Sequence, residues 1–452
     1  MKPARPEPVA HPGPPTRTPA STSRRSAWQV VAAMLPGRSD YADLPVSWRA
    51  DVVAGLTVAV VALPLALAFG ITTGLGATAG LTTAIVAGLV SGIFGGSSLQ
   101  VSGPTGAMTV VLVPLVARYG AEAVVVVGVL AGTLVVAAGL LRLGRVLAYV
   151  PWPVVEGFTL GIAVIILLQQ VPAALGVAKP RGENAAAIAG RALADSFHTG
   201  QLEALALVVL VVVVMVVSPR IHRTLPASLL AVAGATLVAV AAGWDVATIG
   251  YLPSTLPVLA IPAIDAGEVS RFFGPALAIA ALAAIESLLS ARVADGMADG
   301  RRHDPDRELF GQGLANIASP LFGGMPATGA IARTAVNVRA GARTRVAAIV
   351  HSLALVLVVV GGASLVARIP LAALAGVLVV TAVRMVEVRN IRAILRSTRS
   401  DALVLMLTAV ATVAFDLVVA VEIGVAAAAM LALRTVARTT ALTETPVVHE
   451  VD

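Results

Sequence analysis

Apolar residues in this chain neither alternate nor keep a helical stripe; they run. Asp51–Gly70, Glu122–Leu141, Leu202–Val217 and Val346–Val366 are almost unbroken apolar stretches, and polar residues gather between them. Such a stretch of about 20 residues crosses a hydrocarbon core of about 30 Å as a helix. The pattern predicts about fourteen segments, at 51–70, 77–94, 104–118, 122–141, 152–172, 202–218, 226–243, 272–292, 307–322, 328–339, 345–367, 371–384, 401–415 and 417–434. The fold class is therefore an all-α polytopic membrane protein. The alternation of a transmembrane barrel is absent.

Two segments do not fit an ordinary span. "QVSGPTGAM" at 100–108 interrupts one, and "FGGMPATGAI" at 322–331 interrupts another. The interruptions match: Phe94-Gly95-Gly96 with Phe322-Gly323-Gly324, and Thr105-Gly106-Ala107 with Thr328-Gly329-Ala330. Each falls at the third segment of a seven-segment half. An odd number of spans per half inverts the second half, so the chain reads as two inverted repeats, about 46–243 and 266–437. Residues 1–45, rich in Pro at their start, read as a disordered cytoplasmic tail, and 438–452 as a short C-terminal tail.

Composition and charge agree. Only 13% of residues are charged and 58% are hydrophobic, against about 25% charged in a soluble domain. The mean hydropathy is +0.91. The net charge of +7 comes almost wholly from Arg, which gathers in alternate loops: Arg142 and Arg145, Arg220 and Arg223, Arg301, Arg302 and Arg307, Arg339, Arg343 and Arg345, then Arg389 to Arg399. That is the positive-inside pattern of a multi-pass inner-membrane protein with both termini cytoplasmic, not a nucleic-acid footprint. Its surroundings are membrane lipid. Cys is absent, and the six His lack metal-ligand spacing. With no nucleophile–base pair or nucleotide loop, an enzyme is not expected, and no cofactor beyond a coupling H+ or Na+.

Backbone broken at membrane depth survives where it lines a cavity. Pro104 with Thr105, and Thr328 with Gly329, carry helix-start signals, so 104–118 and 328–339 are expected as half-helices whose N-termini face each other. Two such ends, each bearing about half a positive charge, suit an anion. The N–H groups of Gly106, Ala107, Gly329 and Ala330 are the expected donors. Arg333 adds a positive wall, or pairs with Glu286. Glu286 is a carboxylate in mid-span, a functional position by default. With Ser290 one turn on, it suits Na+ or H+ coupling. The bland alternatives are close helix packing for the glycines and a structural role for Glu286.

These residues carry a resemblance. "AGLTVAVVALPLALAFG", "QVSGPTGAM", "AIESLLSARVADGM", "ANIASPLFGGMPATGAIARTAVNVRAGART" and "IPLAALAGVLVV" resemble, in order along 45–435, segments of the sulfate permease family of anion transporters, in particular its bacterial bicarbonate-transporter-like branch. The resemblance implies a UraA-like fold in which a core domain (segments 1–4 and 8–11) moves against a gate domain (5–7 and 12–14). It places the anion on Thr105, Gly106, Ala107, Ala330, Ile331 and Arg333. It places the coupling ion on Glu286, Ser290, Thr328 and Gly329. Sodium-coupled relatives carry Asp and Thr where Glu286 and Ser290 stand, which favours H+. Leu65 replaces a Gln that contacts substrate in many relatives, and the regulatory STAS domain that usually follows is not present in this sequence. The function implied is cation-coupled, elevator-type transport of a small inorganic anion, bicarbonate or sulfate, with a homodimer compatible. The alternatives are a passive anion channel on the same fold, or a dicarboxylate or nucleobase permease.

Overall fold

The computed structural model describes residues 31–414, save 33, 148–150, 183, 223–224, most of 254–265 and 299–301, and beyond 414 only 426, 427 and 430. Its helices are α1 (Leu44–Thr73), α2 (Ala77–Phe94), α3 (Gly106–Tyr119), α4 (Glu122–Leu140), α5 (Trp152–Ala174), α6 (Ala185–Thr199), α7 (Leu202–Ile221), α8 (Ala227–Ala241), α9 (Ala266–Met297), α10 (Pro305–Leu321), α11 (Ile331–Arg339), α12 (Val346–Val366), α13 (Leu371–Met385), α14 (Val388–Ser397) and α15 (Arg399–Ala414). Short turns of helix at Arg38–Tyr41 and Gly144–Leu147 join them.

Thirteen of the fourteen expected segments are helices; the fourteenth, 417–434, lies outside the described residues but for 426, 427 and 430. Two further helices appear between them. In α6, Asn184 caps the N-terminus by accepting from the N–H groups of Ala186 and Ala187, and Ile188, Ala189 and Ala192 bury one face. Ile394 is buried in α14, whose other positions include Arg389, Arg392 and Arg396. Both are amphipathic and too polar to span, so a search for apolar runs passes over them. The chain also folds earlier than expected. Met34 is buried, Arg38–Tyr41 is helical and α1 starts at Leu44, because Asp40 binds Arg307 at 2.7 Å and Arg345 at 3.3 Å.

The helices sort into two bundles. In one, α10 packs on α4 and α2, α12 on α1 and α2, and α9 on α4 and α11. Glycines let α4 and α10 approach closely: Gly132 abuts the backbone of Gly313 and Gly139 that of Phe310. Small residues at an interface draw membrane helices together where no hydrophobic effect does. In the other bundle, α5 packs on α13 and α15, and α7 on α13 and α8. The bundles meet mainly where α1 touches α8 and α13, and where α3 touches α5. For the described segments the grouping follows the expected one, 1–4 with 8–11 and 5–7 with 12 and 13.

One two-stranded sheet joins the repeats. Strand β1 (Ser102–Gly103) pairs antiparallel with β2 (Thr328–Gly329), Ser102 opposite Gly329 and Gly103 opposite Thr328. Antiparallel pairing of the two breaks is what inversion of the second half demands. It satisfies part of the non-helical backbone internally, as the bilayer requires.

Candidate substrate site between two half-helices

Each strand leads straight into a half-helix. Thr105 is the N-cap of α3 and Ala330 that of α11, both with extended backbone. Pro104 therefore sits one residue before the cap, not at the first helical position as expected. The first-turn N–H groups of Gly106, Ala107 and Met108 have no carbonyl four residues back within the helix. All three residues are buried. Gly106 packs on Ile166 of α5 and Phe69 of α1, at the seam between the bundles. In α11 the first turn is open instead: Ile331 is 39% exposed and Ala332 is exposed. The two starts are adjacent, since Thr328 Oγ1 and Thr105 Oγ1 lie 3.1 Å apart.

Two of the four expected backbone donors are spent elsewhere. Gly329 N–H donates to Ser287 Oγ at 3.0 Å, and Ala330 N–H to the Val101 carbonyl at 3.0 Å. The cross-repeat pairing consumes them. The free donors of the second half-helix move on by one residue or more, because Thr334 N–H is the first to reach back, to Ala330 O.

Arg333 is the third residue of α11 and 2% exposed. It does not pair with Glu286. Its Nη2 crosses to the other repeat and donates to the Pro104 carbonyl at 2.7 Å, while Nη1 has no partner. The guanidinium lies against Gly103, whose φ of +154° also favours glycine. An unpartnered buried donor beside two helix N-termini makes a strongly positive environment.

Glu286 lies on α9. Its Oε2 accepts from Thr328 Oγ1 at 2.6 Å and from Thr105 Oγ1 at 3.1 Å. The two threonines are the repeat-related pair, so both halves converge on one carboxylate oxygen. Ser290, one turn on, is fully buried and bonds Thr334 Oγ1 at 3.0 Å rather than joining this cluster. Of the expected coupling-ion residues, the structure thus gathers Glu286 and Thr328, and commits the Ser290 hydroxyl and Gly329 N–H to neighbours.

Sequence reasoning missed the scaffold behind the second break. Asn316 Oδ1 accepts from Ala327 N–H at 2.9 Å, and its Nδ2 donates to Ala327 O at 2.9 Å. Gln312 Nε2 donates to the same carbonyl at 2.8 Å, and its Oε1 accepts from Ser102 at 2.8 Å. Polar residues four apart in "FGQGLANIAS" were the available signal. Glu156 is buried and accepts from Asn390 Nδ2 at 3.0 Å. Asp304 caps α10, and His303 pairs with Asp295.

Residues 48–408 match the model of the sulfate permease family. The chain is 38% identical to the putative sulfate transporter YvdB of Bacillus subtilis, covering 87% of this chain and 75% of that protein. It is 34% identical to the bicarbonate transporter BicA of Picosynechococcus, covering 85% and 70%. Among solved structures, the transmembrane domain of a cyanobacterial bicarbonate transporter BicA aligns with a TM-score of 0.75 at 32% identity, over 85% of this chain and 97% of that one. Murine Slc26a9, an anion transporter solved in the inward-facing state, shares the fold with a TM-score of 0.80 at 17% identity, over 95% and 77%.

Proposed function

Because the chain belongs to the sulfate permease family, whose members are membrane anion transporters, we propose that it is a secondary active transporter that carries bicarbonate or sulfate together with a coupling cation. The carrying observation is the convergence of the α3 and α11 N-termini on one place, with Arg333 Nη1 unpartnered there and Glu286 clasped by repeat-related threonines. The anion takes the positive end. Helix N-termini and a guanidinium are hydrogen-bond donors that need no rearrangement to receive it.

Glu286 carries the coupling ion. H+ is favoured over Na+, because a sodium ion needs several oxygen ligands and the Ser290 hydroxyl is committed to Thr334. A carboxyl group needs none to take a proton. Loading the cation beside Thr105 and Thr328 offsets a negative charge at the point where the anion binds, so each ligand favours the other. The bundle holding both half-helices then slides as a unit against the bundle holding α5 and α13. The few contacts between bundles suit that elevator-like motion.

Uptake of labelled bicarbonate and of labelled sulfate into proteoliposomes, under imposed pH and Na+ gradients, tests this. Expected is saturable uptake driven by an inward proton gradient and indifferent to Na+. Uptake that needs Na+ overturns the proton assignment. Non-saturating flux indifferent to either gradient overturns coupled transport in favour of a channel.

A further inference from the structure

A second basic site lies away from the half-helices, at the arginine-rich end of the first bundle. A pocket of about 520 Å³ opens between the end of α4, the end of α9 and the start of α10. Arg145, Arg292 and Arg302 line it, with Asp295, His303 and Pro305. The volume is that of a small-molecule site. Among the described residues its one carboxylate is already engaged: Asp295 Oδ2 holds His303 Nδ1 at 2.7 Å and both its oxygens accept from His303 N–H. The guanidinium groups of Arg145 and Arg302 therefore face a cavity in which the one acid among the described lining residues serves another partner.

The frame around it is built. Gly144 N–H donates to Asp306 Oδ1 at 3.0 Å, and the Gly144 Cα packs so closely on the Pro305 carbonyl that a side chain there would collide. This fixes the turn carrying Arg145 against the first turn of α10, and so opposite Arg302. Beside the pocket the surface turns apolar. Leu141 is 71% exposed, Leu143 40% and Met297 36%.

We propose that this pocket binds the phosphate headgroup of an acidic phospholipid from the leaflet at the arginine-rich end, with acyl chains lying along Leu141, Leu143 and Met297. Arginines fork onto phosphate oxygens. Basic pockets between membrane helices on the cytoplasmic side are a recurring form of acidic-lipid site. The adjoining apolar residues favour a lipid over free phosphate, which has no use for them. The inference requires only that the protein sits in a membrane, not that its anion or coupling ion is as proposed above.

The test is lipid retention by the purified full chain, measured by native mass spectrometry in zwitterionic detergent with added phosphatidylglycerol, cardiolipin or phosphatidylcholine. Acidic lipid should bind in preference to phosphatidylcholine. Each arginine near an anionic headgroup is worth roughly fivefold in affinity, so Arg145→Gln with Arg302→Gln should weaken binding about 25-fold. The pair Arg145→Lys with Arg302→Lys keeps the charge and should retain most of it, which separates loss of the site from loss of the fold. Leu143→Glu, on an exposed position, should also weaken acidic lipid. Equal binding by the native chain and the Gln pair overturns the proposal. So does displacement of the lipid by millimolar inorganic phosphate with Leu143→Glu silent, which would make the pocket a soluble-anion site.

Discussion

The two breaks in the membrane segments have matching sequences but are held by different chemistry. The first, 95–105, takes charged partners in addition to the neutral Thr334 on Val101 and Asn337 on Leu99. Glu308 Oε2 accepts from the N–H groups of Gly96 and Ser97 at 2.9 Å each, and its Oε1 from Gln100 at 2.8 Å. Arg345 donates to the carbonyls of Ile93 and Gly95, and Arg333 to that of Pro104. The second, 322–330, is held at its backbone by neutral side chains: Thr83 and Ser319 on Met325, Asn316 and Gln312 on Ala327, Ser287 on Gly329. Every full charge at these contacts, and Glu286 as well, comes from the second repeat. Inversion thus supplies a symmetric backbone cradle, and one half alone supplies the charge. A site for a single anion and a single cation needs that asymmetry, because two copies of Arg333 or Glu286 would face each other at low dielectric.

The comparison breaks hardest at the charges. Arg333→Ala leaves the Pro104 carbonyl without its donor and removes the positive wall; losing one member of a buried charged contact costs about 3 kcal/mol, or more than 100-fold in transport. Glu286→Gln should abolish gradient-driven accumulation while leaving anion exchange measurable, since only the coupling group is lost. Thr328→Ala, which removes the 2.6 Å bond, should slow coupled uptake more than Thr105→Ala, which removes the 3.1 Å bond. Equal effects from the two threonines would show that the halves contribute equally. Proteoliposome uptake with and without a pH gradient reads all of these.

Gly103 sharpens the comparison at one atom. A Cβ there would collide with the Arg333 guanidinium, in backbone that already favours glycine at φ +154°. Gly103→Ala should displace the arginine and raise the anion KM about tenfold, with thermal stability lowered by no more than about 2 kcal/mol of backbone strain. A KM left unchanged would mean that the guanidinium position does not set anion affinity.

Much of this was legible in the chain. Apolar runs located thirteen described helices, and the breaks stood out because Gly, Pro and Thr are out of place in such runs. Arg333 and Glu286 were visible through their cost: a membrane tolerates a buried charge only for a reason. What the sequence hid was pairing. Whether Gly329 and Ala330 offer their N–H groups to an anion depends on Ser287 and Val101, one of them some 230 residues distant. The Ser290 hydroxyl looked available by helical spacing, yet Thr334 occupies it. Gln312 and Asn316 were readable as a polar face of α10, but not as the brace of Ala327, because no local pattern says which backbone they meet.

That brace gives a smaller, structural effect. Asn316→Ala strands the N–H of buried Ala327, while the carbonyl loses one donor and keeps Gln312. An unsatisfied buried backbone donor costs about 1–3 kcal/mol, so the variant should melt several degrees lower. Uptake per folded molecule should fall less than with Arg333→Ala. The reverse ranking would mean that the neutral scaffold, rather than the charge, limits function.

The mildest test lies where the charged scaffold reaches water. Burial alone would raise the Asp40 carboxyl, but the two bonds from Arg307, the N–H of Gly37 and the charge of Arg345 outweigh it and hold it down to about 2, from a usual 3.8. A carboxylate so depressed contributes its stability in full above pH 3.8. It loses that contribution as pH falls from there through about 2. The contribution is of order 1 kcal/mol at neutral pH once the water-facing edge of the cluster is allowed for. Asp40→Asn should therefore lower the melting temperature by a few degrees at pH 7, and the gap from the native chain should close on acidification towards pH 2. The charge-held first break depends on that carboxylate through Arg345, and the amide-held second break does not. Amide exchange in acid should accordingly rise first around Gly95 to Ser97, and stay low at Ala327; equal loosening of both would mean that Asp40 steadies the bundle as a whole and not the first break in particular.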